Sequence, residues 1–174
     1  MLLPELRTTR LRLLPWTEED VARLHRLWTD PLVRRYLWDD EIIPEQLARD
    51  VVEECIAEGE RSGVGQWTVW WGEEFVGFSG LRRCPQREGE VELICGLDPN
   101  YWGKGFAFEA SERVLRFAFE ELRLLRVVGS TDAPNEMSQQ LIERLGMRRR
   151  LDWEREGEAL MWFGIEREEF VGRN

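Results

Sequence analysis

Residues 90–107 read as a strand that passes into a helix through a pair of glycines. Val91, Leu93, Cys95 and Leu97 alternate with Glu92, Ile94 and Gly96, the period of two that separates the faces of a strand. Asp98 to Gly105 breaks the alternation as a loop, and Phe106, Ala110, Val114 and Phe117 then recur at helical spacing. Glycine allows left-handed backbone angles and close approach of a ligand to the main chain. The first N–H groups of a helix have no internal partner and carry the positive end of its dipole. Gly103 and Gly105, placed where the helix begins, therefore suit an anion, phosphate above all. The segment is neither of two familiar phosphate loops. Lys104 is followed by glycine rather than Ser or Thr, and Phe108 stands where a dinucleotide fingerprint needs its third glycine. Taken alone, the two glycines equally describe a plain turn. Lys104 is the chain's only lysine; an ammonium there suits phosphate as a point charge, and taken alone it equally describes a solvent-exposed loop residue placed by chance.

Around this junction the patterns alternate between sheet and helix. Residues 6–16 read as a first strand. Thr17 caps a helix that runs to about Thr29, where Asp30-Pro31 interrupts it. Pro44 opens a second helix with Leu47, Val51 and Cys55 on one face, and Gly63 and Gly65 stop it. Residues 66–71 and 75–81 flank Gly72-Glu73-Glu74 as a hairpin. After the helix at 106–122 come a buried strand at 124–131 and a short helix from Pro134-Asn135 to Leu145, capped by Gly146. Two closing strands follow at 148–154 and 159–165, with a turn at Glu156-Gly157. Helices and hairpins mix without strict alternation, which is an α+β pattern. Trp28, Trp67 and Trp71 fall on its core faces. The length fits one domain spanning residues 1–174.

Composition bounds the partners. With 24 basic against 34 acidic residues the net charge is −10, which disfavours a broad nucleic-acid surface. The same charge attracts a cationic partner such as an amine, or serves solubility alone. Cys55, Cys84 and Cys95 are odd in number and lack metal-ligand spacing, so no metal site is expected. No leader stands at Met1-Leu2-Leu3-Pro4-Glu5 and no apolar run approaches the ~18 residues of a membrane span. A cytoplasmic protein, with no membrane partner, is expected. His25, the one histidine, lies on a helix face among Val21, Leu24 and Trp28, so a Ser-His-Asp or Cys-His site is not expected.

A second element begins at Asn135-Glu136-Met137-Ser138. It reads as an N-cap with a serine one turn inside, or as two polar groups facing a ligand between strands. The arrangement as a whole resembles the GNAT superfamily of acetyl-CoA-dependent N-acetyltransferases, and within it the RimJ/RimL type that acts on ribosomal-protein N-termini. Four segments carry the resemblance: Leu6-Arg7-Thr8-Thr9-Arg10-Leu11-Arg12-Leu13; Val91-Glu92-Leu93-Ile94; Tyr101-Trp102-Gly103-Lys104-Gly105-Phe106-Ala107; and an Asn-x-x-Ser helix from Asn135 and Ser138 to Leu145-Gly146-Met147. They occur in the family's order and span most of the chain.

The resemblance implies a mostly antiparallel sheet, flanked by helices and splayed between the strands at 90–97 and 124–131. The pantetheine arm of acetyl-CoA would lie in the gap, bonding to main chain near Cys95 and Leu97. The pyrophosphate would take N–H groups of Trp102, Gly103, Lys104, Gly105, Phe106 and Ala107, and Asn135 and Ser138 would face the arm near the thiol. Tyr36 and Trp38 would line the acceptor pocket, and the family is compatible with a homodimer.

Two positions depart from the superfamily. Asn100 stands where Gln or Arg is frequent, and Ile142 stands where many members place a tyrosine that protonates the leaving thiolate; Ser138 is the substitute donor. Glu92 is the candidate base, against a cross-strand ion pair facing solvent, with Asp132 the second candidate. Cys95 belongs to the apolar alternation and has no histidine near it in sequence, so packing outweighs a nucleophilic role. Arg148, Arg149 and Arg150 are solvated strand residues in preference to contacts for the 3′-phosphate. The expected function is direct acetyl transfer to a protein N-terminal amine or a small cationic amine. The alternatives are a CoA-binding sensor without turnover, or an unrelated nucleotide binder using the same loop.

Overall fold

The computed structural model describes residues 2–170. Met1 and residues 171–174, the ends of the single domain expected from length, lie outside the described residues. Eight strands form one sheet: β1 (Leu6–Arg7), β2 (Leu11–Pro15), β3 (Gln66–Trp71), β4 (Glu74–Arg83), β5 (Val91–Leu97), β6 (Arg126–Asp132), β7 (Arg148–Arg149) and β8 (Leu160–Glu166). Their spatial order is β1-β2-β3-β4-β5-β6-β8-β7, and only β5 and β6 run parallel. Five helices, α1 (Val21–Thr29), α2 (Pro31–Leu37), α3 (Glu45–Ser62), α4 (Phe106–Glu120) and α5 (Glu136–Arg144), complete the mixed fold.

Helices cover both faces of the sheet, which explains why the central strands are apolar on both sides. Trp67, Val69 and Leu97 join α4 in one core, while Phe78 and Ile94 join α1, α2 and α3 in the other. Trp67 meets Phe117 of α4 edge-on at 5.2 Å between ring centres. On the opposite face Trp16, Trp28, Trp38 and Phe78 form a chain of tilted and edge-on contacts. Such aromatic pairs add about 0.5–1.5 kcal/mol each beyond the area they bury.

The sheet comes apart in the middle. β5 pairs with β4 along its whole length, from Val91 opposite Arg83 to Leu97 opposite Gly77. Its pairing with β6 is confined to Glu92 opposite Val128, whereas β6 remains paired with β8 through Asp132. Beyond Glu92 the two central strands therefore diverge.

Several expectations need correction. The first strand is two, because Thr8 turns the chain: its Oγ1 accepts from the Leu11 N–H at 2.9 Å, and β1 folds back on β2. Residues 31–37, expected between helices, form α2, with Pro31 in its first turn and Asp30 accepting from the Leu32 N–H at 2.9 Å. On α3 the buried stripe is Ala48, Val52 and Gly59. Of the residues assigned to that face, Val51 and Cys55 are partly buried against the same core, and only Leu47 is exposed. Trp71 is 44% exposed at the end of β3, where it packs at a tilt on Phe106. The penultimate strand ends at Arg149, since a 3-10 turn at Leu151–Trp153 diverts the chain.

Candidate active site

The divergence of β5 and β6 opens a cleft of about 940 Å³. One wall is the free edge of β5, the other is the end of β6 with α5, and the 102–108 loop and the α2 segment lie at its margins.

The loop at one margin is built by its own polar groups. Asp98 accepts from the backbone N–H of Asn100 at 2.9 Å and from its side-chain amide at 2.8 Å, closing a turn that hands the chain to Trp102. The indole of Trp102 donates back to the Leu97 carbonyl at 3.0 Å. Gly103 and Gly105 have φ of 76° and 80°, a left-handed conformation that costs an L-residue about 1–2 kcal/mol. Gly105 is the N-cap of α4, and its carbonyl accepts from Glu109. The N–H groups of Phe106 and Ala107, in the first turn, have no carbonyl one turn earlier in the helix and point out of its positive end. Lys104 is exposed on the same loop. A cleft this large, ending on such donors, fits an elongated ligand with an anionic end.

At the point of divergence Glu92 is 2% exposed. Arg82, its register partner on β4, donates from Nε at 2.8 Å, and Ser130 of β6 donates from its hydroxyl at 2.6 Å. The expected cross-strand ion pair is present, but it is sunk between strands rather than facing solvent, and it reaches across the gap. Along the free edge, Cys95 is half-buried and lines the cleft. Loss of hydration pushes its thiol up to about 11, against hydrogen bonds to Ser111 and Ser79. It stands as a neutral thiol at physiological pH, which agrees with a packing role.

On the opposite wall Asn135 caps α5, its Oδ1 accepting the Ser138 N–H at 3.2 Å. Among the described residues the Ser138 hydroxyl has no protein partner, and it faces the cleft beside Ile142. Asp132 ends β6 at the cleft. Desolvation, then the negative charge of Asp39, raises its carboxyl above the usual range. Tyr36 lines the cleft from α2; Trp38 does not, being turned into the aromatic cluster against Trp28 at 5.5 Å. Arg148, Arg149 and Arg150 are each engaged by a carboxylate, of Glu169, Glu154 and Asp152 respectively.

The structure thus gathers Glu92, Cys95, Leu97, Trp102, Gly103, Gly105, Phe106, Ala107, Asn135, Ser138 and Tyr36 around one cleft. It adds Arg82, Ser130 and Asp39, which sequence reasoning missed. Arg82 was legible in principle as the residue a hairpin register sets opposite Glu92; Ser130 and Asp39 carry no local signal. Among the described residues no three His, Cys, Asp or Glu side chains meet as a metal-ligand group, and no helix is long and apolar enough to cross a membrane.

Residues 10–148 match the acetyltransferase (GNAT) domain family. The chain is 29% identical over 145 residues to the uncharacterised N-acetyltransferase p20 of Bacillus licheniformis, covering 82% of this chain and 81% of that protein. It is 30% identical over 154 residues to the FsC-acetyl coenzyme A-N(2)-transacetylase of Aspergillus fumigatus, covering 83% and 65% respectively. Spermidine N(1)-acetyltransferase of Escherichia coli is 26% identical over 157 residues, covering 83% and 75%. Among solved structures, an acetyltransferase of Agrobacterium tumefaciens superposes with a TM-score of 0.84 at 24% identity over 95% of this chain and 96% of that one. RimL, a ribosomal L7/L12 alpha-N-protein acetyltransferase in complex with coenzyme A, does so with 0.75 at 16% identity over 94% and 98%. At those identities the two structures establish the fold.

Proposed function

The chain belongs to the GNAT acetyltransferase family, and we propose that it transfers the acetyl group of acetyl-CoA directly to the nitrogen of an alkylamine. The observation that carries this reading is the divergence of β5 from β6 beyond Glu92 and Val128, ending on the glycine-bounded start of α4. A thioester held along the free edge of β5 has main-chain groups beside its carbonyl, and the anionic end of the donor meets the N–H groups of residues 102–107. Main-chain donors aimed at a developing oxyanion are worth about 3–4 kcal/mol of transition-state stabilisation.

The transfer forms a C–N bond and breaks the C–S bond; the amine gives up a proton and the departing thiolate takes one. We assign the amine proton to Asp132. Its carboxyl already holds protons better than an ordinary aspartate, which moves a base toward its working range. Glu92, the first candidate from sequence, has one oxygen held by Arg82 and the other by Ser130, so its place here is to fasten the strands where they part. Ser138, with its hydroxyl open to the cleft, relays a proton to the thiolate in place of the tyrosine that Ile142 replaces, regaining one from the solvent of the cleft, to which Asp132 releases the proton taken from the amine.

For the acceptor we propose a small amine carrying a further positive charge. Asp39, Asp132 and Tyr36 all line the cleft, the negative charge of Asp39 is felt by the Asp132 carboxyl, and the net charge of −10 draws cations toward the surface. The likeness to a spermidine acetyltransferase supports this class. The RimJ/RimL-type alternative, a protein N-terminus, is the second arm of the test.

The first experiment is a thermal-shift titration with acetyl-CoA, with ATP and AMP as controls, followed by thiol release over polyamines and N-terminal peptides. Saturation at 100 times the dissociation constant adds about 2.7 kcal/mol to stability. Stabilisation by acetyl-CoA alone and thiol release with polyamines is the expected result. An equal shift with ATP refutes the donor assignment, binding without thiol release refutes turnover, and release with peptides alone refutes the acceptor class.

A further inference from the structure

We propose that Arg10 is a positioning residue for the donor: it holds the 102–107 loop in its anion-binding shape and sets the affinity for the diphosphate end of acetyl-CoA. The inference rests on the reading of that loop given above. Arg10 lies far away in sequence, in the turn between β1 and β2, yet nearly every group it has is directed at the start of α4. Its Nε donates to Oε2 of Glu109 at 2.7 Å, and its backbone N–H donates to Oε1 at 2.9 Å. Thr8 adds its hydroxyl to the same Oε1. With Glu109 fixed on the first turn of α4, Nη1 of Arg10 donates to the Lys104 carbonyl at 3.0 Å. The guanidinium carbon lies 4.6 Å from the centre of the Phe106 ring, and Trp71 backs the same ring from 5.3 Å.

This arrangement differs from a surface ion pair. An exposed pair contributes little to stability, and Arg10 is 43% exposed. What it does instead is orient. A carbonyl turned toward Arg10 requires the peptide between Lys104 and Gly105 to present its N–H the other way, because the peptide is planar and trans. Nη2 has no acceptor among the described residues, and it stands so close to Gly105 that a Cβ there would meet it at 3.3 Å. The guanidinium thus places a permanent positive charge, with one free donor edge, against the backbone of the loop. Glu109 is tied on one side to the turn that bears Arg10 and on the other to the helix whose N–H groups bind the anion.

The test compares coenzyme A with pantetheine, which lacks the diphosphate and nucleotide, by calorimetry on the full chain. R10A is expected to weaken coenzyme A by about ten- to a hundredfold, the range for loss of charge-assisted hydrogen bonds, and to leave pantetheine unchanged. In turnover the KM for acetyl-CoA rises with kcat at saturation held within about twofold. R10K keeps the charge but not the fork, and binds coenzyme A between wild type and R10A. Amide exchange in the unliganded protein reads the same loop without any donor: it quickens at residues 102–107 in R10A and not at 126–132. Equal affinities of wild type and R10A for coenzyme A, or equal loss for coenzyme A and pantetheine, overturn the proposal. If R10A fails to fold, R10K decides by the same ratio. Wild-type protein that binds no coenzyme A refutes the donor reading instead, and unchanged exchange at 102–107 then refutes the positioning role separately.

Discussion

Removing Arg82 should destabilise this protein more than removing the carboxylate it serves. Glu92 is 2% exposed, with Arg82 on one oxygen and Ser130 on the other. Arg82 is 38% exposed along its side chain, so water solvates it once Glu92 is gone, whereas Glu92 without Arg82 is an anion in the sheet with one hydroxyl for company. Breaking a buried pair by removing one partner costs about 3–5 kcal/mol when the survivor is the buried charge. R82A is therefore expected near the top of that range, and S130A, which removes one hydrogen bond to a charge, at about 1.5–3 kcal/mol. E92Q removes the charge and should cost less than R82A. For a chain of this size each kcal/mol moves Tm by about 2–4 °C, so R82A lowers Tm by at least about 10 °C. The decisive measurement is the double variant R82A/E92Q: once the orphan charge is neutralised it should be more stable than R82A alone, a coupling that urea titration reads directly. An R82A protein within about 0.5 kcal/mol of wild type, or a double variant less stable than R82A, would refute the claim that a desolvated carboxylate ties the strands where they part.

Four further outcomes follow from the same coordinates. D132N should abolish most amine-dependent thiol release while leaving acetyl-CoA binding intact; unchanged turnover in a coupled thiol assay removes Asp132 as base. The same variant tests linkage. A carboxyl raised in the folded state makes the native protein bind protons more tightly than the unfolded chain, so stability falls as pH rises from the ordinary aspartate range through its raised value; D132N should melt higher than wild type at pH 7 and match it near pH 2. S138A should lower kcat with little change in KM for acetyl-CoA, and equal kcat in both proteins refutes Ser138 as donor. G105A puts a Cβ into the left-handed conformation and against Arg10, for about 1–2 kcal/mol of strain and a weakened coenzyme A titration; wild-type affinity would show that the loop's shape is dispensable.

What the sequence disclosed was whatever depends on short-range periodicity. The β3–β4 hairpin, the alternation along β5 and the glycines before α4 were all readable because two-fold and 3.6-fold patterns and left-handed angles are local properties. The errors have a common cause as well. Residues 6–16 look continuous, since Leu6, Leu11 and Leu13 are all buried, but the hydroxyl of Thr8 offers the chain a turn. On α3 both 47/51/55 and 48/52/59 satisfy helical spacing, and which is buried deepest is set by the elements packed against the helix, α1 among them. The divergence of β5 from β6 was reached by resemblance alone, because nothing in either strand's own pattern marks where pairing ends.

Two ties, neither visible in the sequence pattern, hold the ends of the cleft. Arg82 and Ser130 grip Glu92 where the strands part, and Thr8 and Arg10 grip Glu109 at the start of α4. Each tie joins elements distant in sequence, 38 residues apart for Ser130 and Glu92 and 99 for Arg10 and Glu109. A cleft made by withholding strand pairing gives up backbone hydrogen bonds, and hydrophobic contact, being non-directional, cannot fix how far the strands separate. Charged hydrogen bonds at both ends can, because their geometry is narrow. The acidic partner in each tie sits on an element that borders the cleft, Glu92 on β5 and Glu109 on α4. The basic partner comes from the neighbouring structure, Arg82 from β4 and Arg10 from the β1–β2 turn. If the guanidinium acts on the diphosphate as proposed, swapping charge within a tie, as in R10E/E109R, should restore stability without restoring the affinity for coenzyme A, since a glutamate would then stand beside the 102–107 loop.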